Sequence, residues 1–93
     1  MATPDPRPPR RAAAVRYRKG DASPELVARG AGHVADAILQ AAAEAGIPVR
    51  EDTVLVQALE TLELGQHVPP ELYEAVAEAL VWAYRLTGRR APA

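Results

Sequence analysis

One serine and two histidines come nearest to a catalytic set in this chain. Ser23 is its only serine, and His33 and His67 are its histidines. A serine hydroxyl becomes a nucleophile when a neighbouring histidine takes its proton and an oxyanion site receives the developing charge. Nothing in the spacing ties either histidine to Ser23, which precedes a proline. The sequence therefore favours a turn residue at Ser23 over a nucleophile.

Metal, acid–base and phosphate chemistry find little support. The chain has no cysteine, and its two histidines are not spaced as a ligand pair, so no zinc set is recognisable. Glu71, Glu74 and Glu78 lie on neighbouring turns of one predicted helix, where a solvated face is the commoner explanation. Gly30 and Gly32 lack the rest of either phosphate-binding pattern. We expect no enzyme, no cofactor, no metal and no small-molecule substrate.

The composition is that of one small domain without disulfides. The chain has 93 residues, 48% of them hydrophobic, with no phenylalanine and one tryptophan. Its core must therefore come from leucine, valine, isoleucine and many alanines. No apolar run approaches the ~20 residues that a membrane span needs, and the N-terminus lacks the apolar centre of a secretory signal. We expect a cytoplasmic protein that does not span a membrane.

Charge is unevenly distributed although its net value is −1. Residues 7–19 carry six basic side chains and residues 85–90 carry three, whereas every formally charged residue from 51 to 78 is acidic. Phosphates would be repelled by this acidic half, so no nucleic-acid partner is expected. A small regulatory nucleic-acid-binding protein that uses the basic N-terminal arm remains the alternative function.

The first part of the chain predicts an arm and two strands. Residues 1–11 are rich in proline and arginine and bury little surface, so they are predicted to form a flexible arm. Residues 12–17 alternate across two faces and predict the first strand. Residues 25–29 are predicted as the second strand, and the intervening turn is short enough for an antiparallel pair.

The chain is organised around a predicted helix over residues 31–45. Gly46 would end this helix, and residues 47–50 are predicted as a third strand, in which Pro48 suits a strand start or an edge. With residues 25–29 this predicts a parallel strand–helix–strand unit with a right-handed crossover. Five apolar residues recur at helical spacing and form one stripe along this helix: Val34, Ile38, Ala41, Ala42 and Ala45.

Two more helices complete the predicted fold. Asp52 is the predicted N-cap of a helix over residues 53–64, and a third helix follows the prolines at 69 and 70. The predicted fold class is α/β, a small mixed three-stranded sheet flanked by three helices in the order β-β-α-β-α-α. One domain spans residues 12–88, and residues 89–93 are a short tail.

Trp82 is the most informative side chain of the third helix. It aligns by helical rotation with Glu78 and Arg85 rather than with the apolar stripe that contains Val76 and Leu80. An exposed tryptophan is a frequent anchor of protein interfaces. The other interpretation is that Trp82 packs against the second helix or the tail. The sequence leaves both open.

Several segments in a fixed order resemble one known family. The resemblance covers roughly residues 13–86 and points to the cytoplasmic C-terminal domain of the FlhB/YscU family, the switch component of flagellar and type III secretion export machinery. It implies a small sheet flanked by helices. The segments that carry it are Ala13–Tyr17, Pro24–Gly30, Gly46–Asp52, Leu64–Glu78 and Trp82–Arg85.

This chain departs from the family pattern in ways that bear on function. Full-length members carry membrane helices and cleave themselves at an Asn-Pro-Thr-His loop, where the asparagine side chain attacks its own carbonyl. The chain contains no asparagine, so that cyclisation has no starting group here. Thr53-Val54 also stands where the family often has two prolines. We expect a free-standing counterpart of the post-cleavage half, with one sheet edge left open by the missing upstream strand.

The resulting prediction is a non-catalytic binding module similar to the export-switch domain. Its expected partners are proteins of the export apparatus or secretion substrates, with self-association through the open sheet edge as a further option. It would act in the cytoplasm, in association with the inner-membrane apparatus. The candidate binding residues are Arg16 and Tyr17 at the first strand and Trp82 on the third helix.

Overall fold

The computed structural model describes residues 10–88. Its helices and strands are mixed, as the α/β class predicts. Most of the predicted arm and the predicted tail lie outside the described residues, but Arg11 is already the first residue of a strand. In chain order the elements are β1 (Arg11–Arg16), β2 (Glu25–Ala31), α1 (His33–Ala45), α2 (Thr53–Leu59), a 3-10 turn (Pro70–Leu72) and α3 (Tyr73–Thr87).

β1 and β2 form an antiparallel pair, as the short connection predicts. Arg11 pairs with Ala31 at one end of the ladder and Arg16 pairs with Glu25 at the other. The register shifts by one residue in between, and Val27 of β2 has no counterpart on β1. Such a one-residue bulge bends its strand and increases the local twist.

The predicted third strand is wrong. Ile47–Arg50 follows α1, but the two-stranded sheet is the whole sheet within residues 10–88. The Ile47 amide donates to the Ala42 carbonyl at 2.9 Å to close the helix, and Pro48 has no amide to offer a ladder. The parallel strand–helix–strand unit therefore does not form.

A loop segment, rather than residues 47–50, pairs with the second edge of β2. Glu25 forms an isolated antiparallel bridge with His67. The Leu26 amide donates to the Gln66 carbonyl at 2.9 Å, and the Gly65 amide donates to the Leu26 carbonyl at 2.8 Å. β2 is thus paired with β1 on one edge and, at Glu25 and Leu26, with this loop on the other.

The buried face of α1 is rotated from the predicted stripe. Ala35 is fully buried, and Ile38, Leu39 and Ala42 are partly buried. Val34 is instead 53% exposed, and Ala41 and Ala45 are also exposed. Five small or aliphatic side chains on a short helix allow more than one apolar stripe, and contact with the sheet selects among them.

The two helix ends that the sequence identified are confirmed. Gly46 closes α1 in the left-handed conformation, with φ of 70°, as glycine does at many helix C-termini. The Asp52 carboxylate caps α2 by accepting the Leu55 amide at 3.0 Å. α2 stops at Leu59, earlier than predicted, yet Leu62 beyond it is still buried.

The core lies between β2 and the second and third helices. Ala13 and Val15 of β1 and Leu80 of α3 pack around its edge. α1 contacts both strands and contributes none of its residues to this cluster. α1 therefore covers one face of the sheet, and α2 and α3 cover the other. The buried cluster itself is Leu26, Leu59, Leu62, Val68 and Val76.

Candidate binding site

The outer edge of β1 has no strand beside it in the described part of the chain. β1 pairs with β2 along one edge, and the single isolated bridge within residues 10–88 belongs to β2. Backbone amides and carbonyls along an unpaired edge can pair with a strand from another chain. This edge is therefore the backbone feature of the fold best suited to binding.

A cleft runs along that edge, and we call it the β1 cleft. It consists of two adjoining hollows that share Ala13, Leu39 and Val49 among their lining residues. The more polar hollow has a volume of about 470 Å³ and lies between residues 10–13 and residues 49–53. The more apolar hollow has a volume of about 200 Å³ and includes Trp82 in its lining.

The wall of the cleft opposite β1 exposes aliphatic side chains. In the segment Ile47–Arg50, Ile47 is 56% exposed and Val49 is 48% exposed. Exposed aliphatic side chains beside an apolar hollow are typical of an interaction surface.

Ion pairs occupy the polar end of the β1 cleft. Arg10 lies 3.8 Å from Asp36, with both side chains largely exposed. Arg11 lies 3.4 Å from one carboxylate oxygen of Glu60, and the other oxygen of Glu60 is buried without a hydrogen-bond partner among residues 10–88. An exposed pair such as Arg10–Asp36 contributes little to stability, so it can exchange partners at low cost.

Trp82 lies at the apolar end of the cleft and is half-buried. The Arg50 guanidinium carbon lies 6.0 Å from the centre of the Trp82 ring, within the range of a cation–π contact. Arg50 also reaches Glu78 at 3.5 Å. Trp82 therefore faces neither open solvent nor the central core, and the segment before α2 partly covers it.

Arg16 and Tyr17 lie at the far end of β1. Arg16 is exposed and pairs with Glu25 of β2 at 2.6 Å. Tyr17 is half-buried and lies close enough to Tyr84 to affect its ionisation. Burial raises the pKa of Tyr84, and the neighbouring Tyr17 adds to that increase. The structure places these candidates at one end of the strand, whereas Trp82 lines the cleft.

Sequence reasoning missed the part that Arg50, Ile47 and Val49 play in the site. The signal was present, since Ile47–Arg50 alternates and has a proline, but it was interpreted as a paired strand. This segment becomes the unpaired wall of a cleft because β1 lies opposite it. The local sequence does not contain that information.

The serine and histidine of the candidate catalytic set do meet, through the backbone. The His67 Nδ1 lies 3.0 Å from the Ser23 carbonyl oxygen, and Ser23 is buried. The Arg18 amide donates to the Asp21 carboxylate at 3.0 Å in the same turn, and this bond lowers the pKa of Asp21. These contacts hold the β1–β2 turn against the loop before α3, which is a structural role.

Two broader properties follow from the described residues. Within residues 10–88 no group of three acidic, histidine or cysteine side chains is arranged to hold a metal ion. None of the helices in that range is both long enough and apolar enough to cross a bilayer.

The fold and the open edge define a small mixed α/β domain of the export-switch type, and comparison with known proteins agrees. The C-terminal domain of PscU superimposes with a TM-score of 0.72 at 32% identity, over 77% of this chain and 94% of that domain. The uncharacterized protein YlqH of Bacillus subtilis is 41% identical over 80 residues, which is 85% of this chain and 86% of YlqH.

The family model for FlhB, HrpN, YscU and SpaS matches residues 7–83. The chain belongs to this family, and the resemblance noted in the sequence is confirmed. The flagellar biosynthetic protein FlhB of Yersinia enterocolitica is 46% identical over 77 residues, which is 81% of this chain. The chain spans about 20% of the length of that relative.

Proposed function

We propose that this protein is a non-catalytic protein-binding module of the type III or flagellar export apparatus. Its family membership supports the setting, since the relatives include a flagellar biosynthetic protein and a hypersensitivity response secretion protein. It would contact export-apparatus proteins or secretion substrates in the cytoplasm, close to the inner-membrane apparatus. The 93 residues contain no asparagine, so binding would proceed without the self-cleavage that the family resemblance implies for full-length members.

The open edge of β1 is the observation that carries this proposal. An edge strand is a liability that proteins usually blunt with charges, prolines or a covering segment. Residues Ala12–Val15 carry no charge and no proline, and a cleft lies beside them. An edge of this kind favours pairing with another polypeptide over chemistry on a small substrate.

Capture by purified export components tests the proposal. The tagged protein is incubated with cytoplasmic domains of the export-apparatus proteins, and retained proteins are quantified. We expect retention of at least one component by the wild type. Trp82→Ala should reduce it severalfold, because Trp82 lines the cleft. Tyr73→Ala is the matched control, since Tyr73 is an exposed aromatic on the same helix outside the cleft lining.

Two outcomes would contradict the proposal. Retention of no export component by the wild type would remove the assigned setting. Equal losses in Trp82→Ala and Tyr73→Ala would show that the cleft is not the contact surface. Arg16→Ala and Tyr17→Ala test the strand-end candidates in the same assay. Sedimentation across a tenfold concentration range tests self-association through the open edge.

The nucleic-acid alternative stays a prediction. Most of the basic arm lies outside residues 10–88, and Arg11, Arg16 and Arg50 each pair with a carboxylate of the chain. Binding through phosphate contacts would weaken steeply with salt. A salt titration with duplex DNA and single-stranded RNA measures it directly.

A further inference from the structure

We propose that the outer face of α3 binds an arginine side chain from a basic segment of a partner protein at Trp82 and Glu78, and that Arg50 is an internal placeholder which this arginine displaces. The inference rests on the proposed function and deepens it, because it states the chemistry by which a partner would be recognised. It concerns α3 and involves no strand in the β1 cleft.

The first support is that Trp82 and Glu78 already hold a guanidinium group. The guanidinium carbon of Arg50 lies 6.0 Å from the centre of the Trp82 ring, and one of its nitrogens lies 3.5 Å from a carboxylate oxygen of Glu78. Glu78 and Trp82 are one turn apart on α3 and therefore share a face. The ring attracts a cation through its π-electrons, and the carboxylate accepts its N–H groups.

The second support is that Arg50 occupies this position loosely. Its distance to the Trp82 ring, 6.0 Å, is at the outer limit of a cation–π contact. Its distance to Glu78, 3.5 Å, is longer than that of a close charge-assisted hydrogen bond, about 2.7 to 2.9 Å. The Glu78 side chain is 70% exposed, so the pair contributes little to stability. An arginine that arrives from outside can therefore replace Arg50 and make both contacts more closely.

The third support is the charge of the surrounding helix face. Glu71, Glu74 and Glu78 are exposed, and their spacing of three and four residues places them on the same face as Trp82. Within residues 10–88 no basic side chain lies within ion-pair distance of Glu71 or Glu74. The helix dipole accounts for acidic residues in the first turn of a helix, but its effect has declined at Glu78. A basic segment therefore complements this face, and an acidic one would be repelled.

The ring and carboxylate together favour arginine over lysine. A planar guanidinium can stack on an indole ring while its N–H groups point at a carboxylate, whereas an ammonium group is a compact, strongly hydrated charge. Tryptophan and arginine are also the residue types most enriched among those that dominate binding at protein interfaces. Nucleic acid does not fit this face, because the glutamates would repel its phosphates. The expected occupant is therefore an arginine in a basic protein segment.

A synthetic peptide tests the inference without any export component. The probe is the fluorescein-labelled peptide Ala-Arg-Ala-Ala-Arg-Ala-Ala-Ala-Arg-Ala, whose arginines repeat the spacing of the three glutamates. It is titrated with the full chain by fluorescence anisotropy. We expect saturable binding that weakens as salt is added. The same peptide with citrulline, a neutral group of nearly the same shape, should show no saturable binding, and the lysine peptide should bind severalfold more weakly.

Two matched pairs of variants locate the bound arginine. Arg50→Ala removes the placeholder and should bind the peptide about two- to fivefold more tightly, the factor that an exposed ion pair supplies. Arg29→Ala removes the same charge from an exposed position of β2 and should stay near wild type. Glu78→Gln should weaken binding about tenfold through loss of the charged acceptor. Glu63→Gln makes the same change at an exposed position after α2 and should bind like the wild type.

Substitutions of Trp82 separate attraction of a cation from apolar contact. Trp82→Phe keeps an aromatic face, whereas Trp82→Leu keeps only an apolar side chain. The leucine variant should lose more affinity for the arginine peptide than the phenylalanine variant, because only a ring attracts the guanidinium. Equal losses would overturn the assigned role of Trp82. Far-UV circular dichroism checks that every variant folds.

The remaining outcomes decide the inference as a whole. Absence of saturable binding, or equal affinity for the arginine and citrulline peptides, would overturn it. Binding by Arg50→Ala that is no tighter than binding by Arg29→Ala would show that Arg50 is not a placeholder. Capture of export components without binding of the arginine peptide would leave the proposed function intact and reject this inference, whereas peptide binding without capture would do the reverse.

Discussion

The close approach of α1 to β2 makes Gly30→Ala the most instructive stability test. A Cβ built on Gly30 would lie 2.2 Å from Cγ1 of Val34 and 2.7 Å from its Cβ. The Val34 methyl group can rotate away, since Val34 is about half exposed. Its Cβ moves only with the backbone, so the start of α1 must move away from β2, which loosens the packing of the buried Ala35.

The expected cost can be estimated from two opposing effects. Overpacking a well-packed contact costs about 1 to 3 kcal/mol. Gly30 does not have a positive φ, so replacing glycine there also reduces the entropy of the unfolded chain, worth about 0.4 to 1 kcal/mol in the other direction. The net expectation is a free energy of unfolding lower by about 1 to 2 kcal/mol. For a domain of this size that lowers Tm by roughly 5 to 15 °C.

A double-mutant cycle with Val34→Gly identifies the contact responsible. Thermal and urea unfolding are followed by far-UV circular dichroism for the wild type, both single variants and the double variant. Gly30→Ala should cost at least 1 kcal/mol less in the Val34→Gly background, because both short contacts are gone. An unchanged Tm for Gly30→Ala, or additivity within about 0.5 kcal/mol, would refute the reasoning.

Three further perturbations test separate features. Asp52→Ala should lower the free energy of unfolding by about 1 kcal/mol through loss of the α2 cap. Urea unfolding should show a smaller loss for Asp52→Asn, and equal losses in the two variants would contradict the capping role. The Arg18 amide lowers the pKa of Asp21 below 3.8. The ionised Asp21 carboxylate therefore stabilises the fold fully above pH 3.8, and this stabilisation is lost as the pH falls through the lowered pKa. The Tm of Asp21→Asn should accordingly fall less between pH 5 and pH 2 than that of wild type, and parallel curves would reject this. Arg50→Ala should shift the fluorescence of Trp82, which Arg50 partly covers, whereas Arg50→Lys should shift it less; an unchanged spectrum would contradict that contact.

Local features of the fold were predictable because their causes lie within a few residues. The cap at Asp52 and the helix end at Gly46 depend on side-chain reach and on φ, and both are where the sequence places them. The antiparallel β1–β2 pair follows from a short connection. The family resemblance was equally visible, since it rests on the order of segments.

The errors concern contacts between distant parts of the chain. The third strand at residues 47–50 was wrong because pairing depends on which distant segment meets a strand, and the loop at Gly65–Val68 pairs with the start of β2 instead. The buried face of α1 was misplaced because an alanine-rich helix does not encode a unique stripe, and Ala35 became the buried centre only by meeting the sheet.

The sequence by itself determined the α/β class, the end of α1 at Gly46, the cap of α2 at Asp52, the family and the lack of an asparagine for self-cleavage, because each is a property of residue type and local order. Only the tertiary structure decided that β1 faces an empty cleft across from Ile47–Arg50. An unpaired edge is a relation between backbones more than 30 positions apart. It exists only after the helices have brought the two walls of the cleft opposite each other.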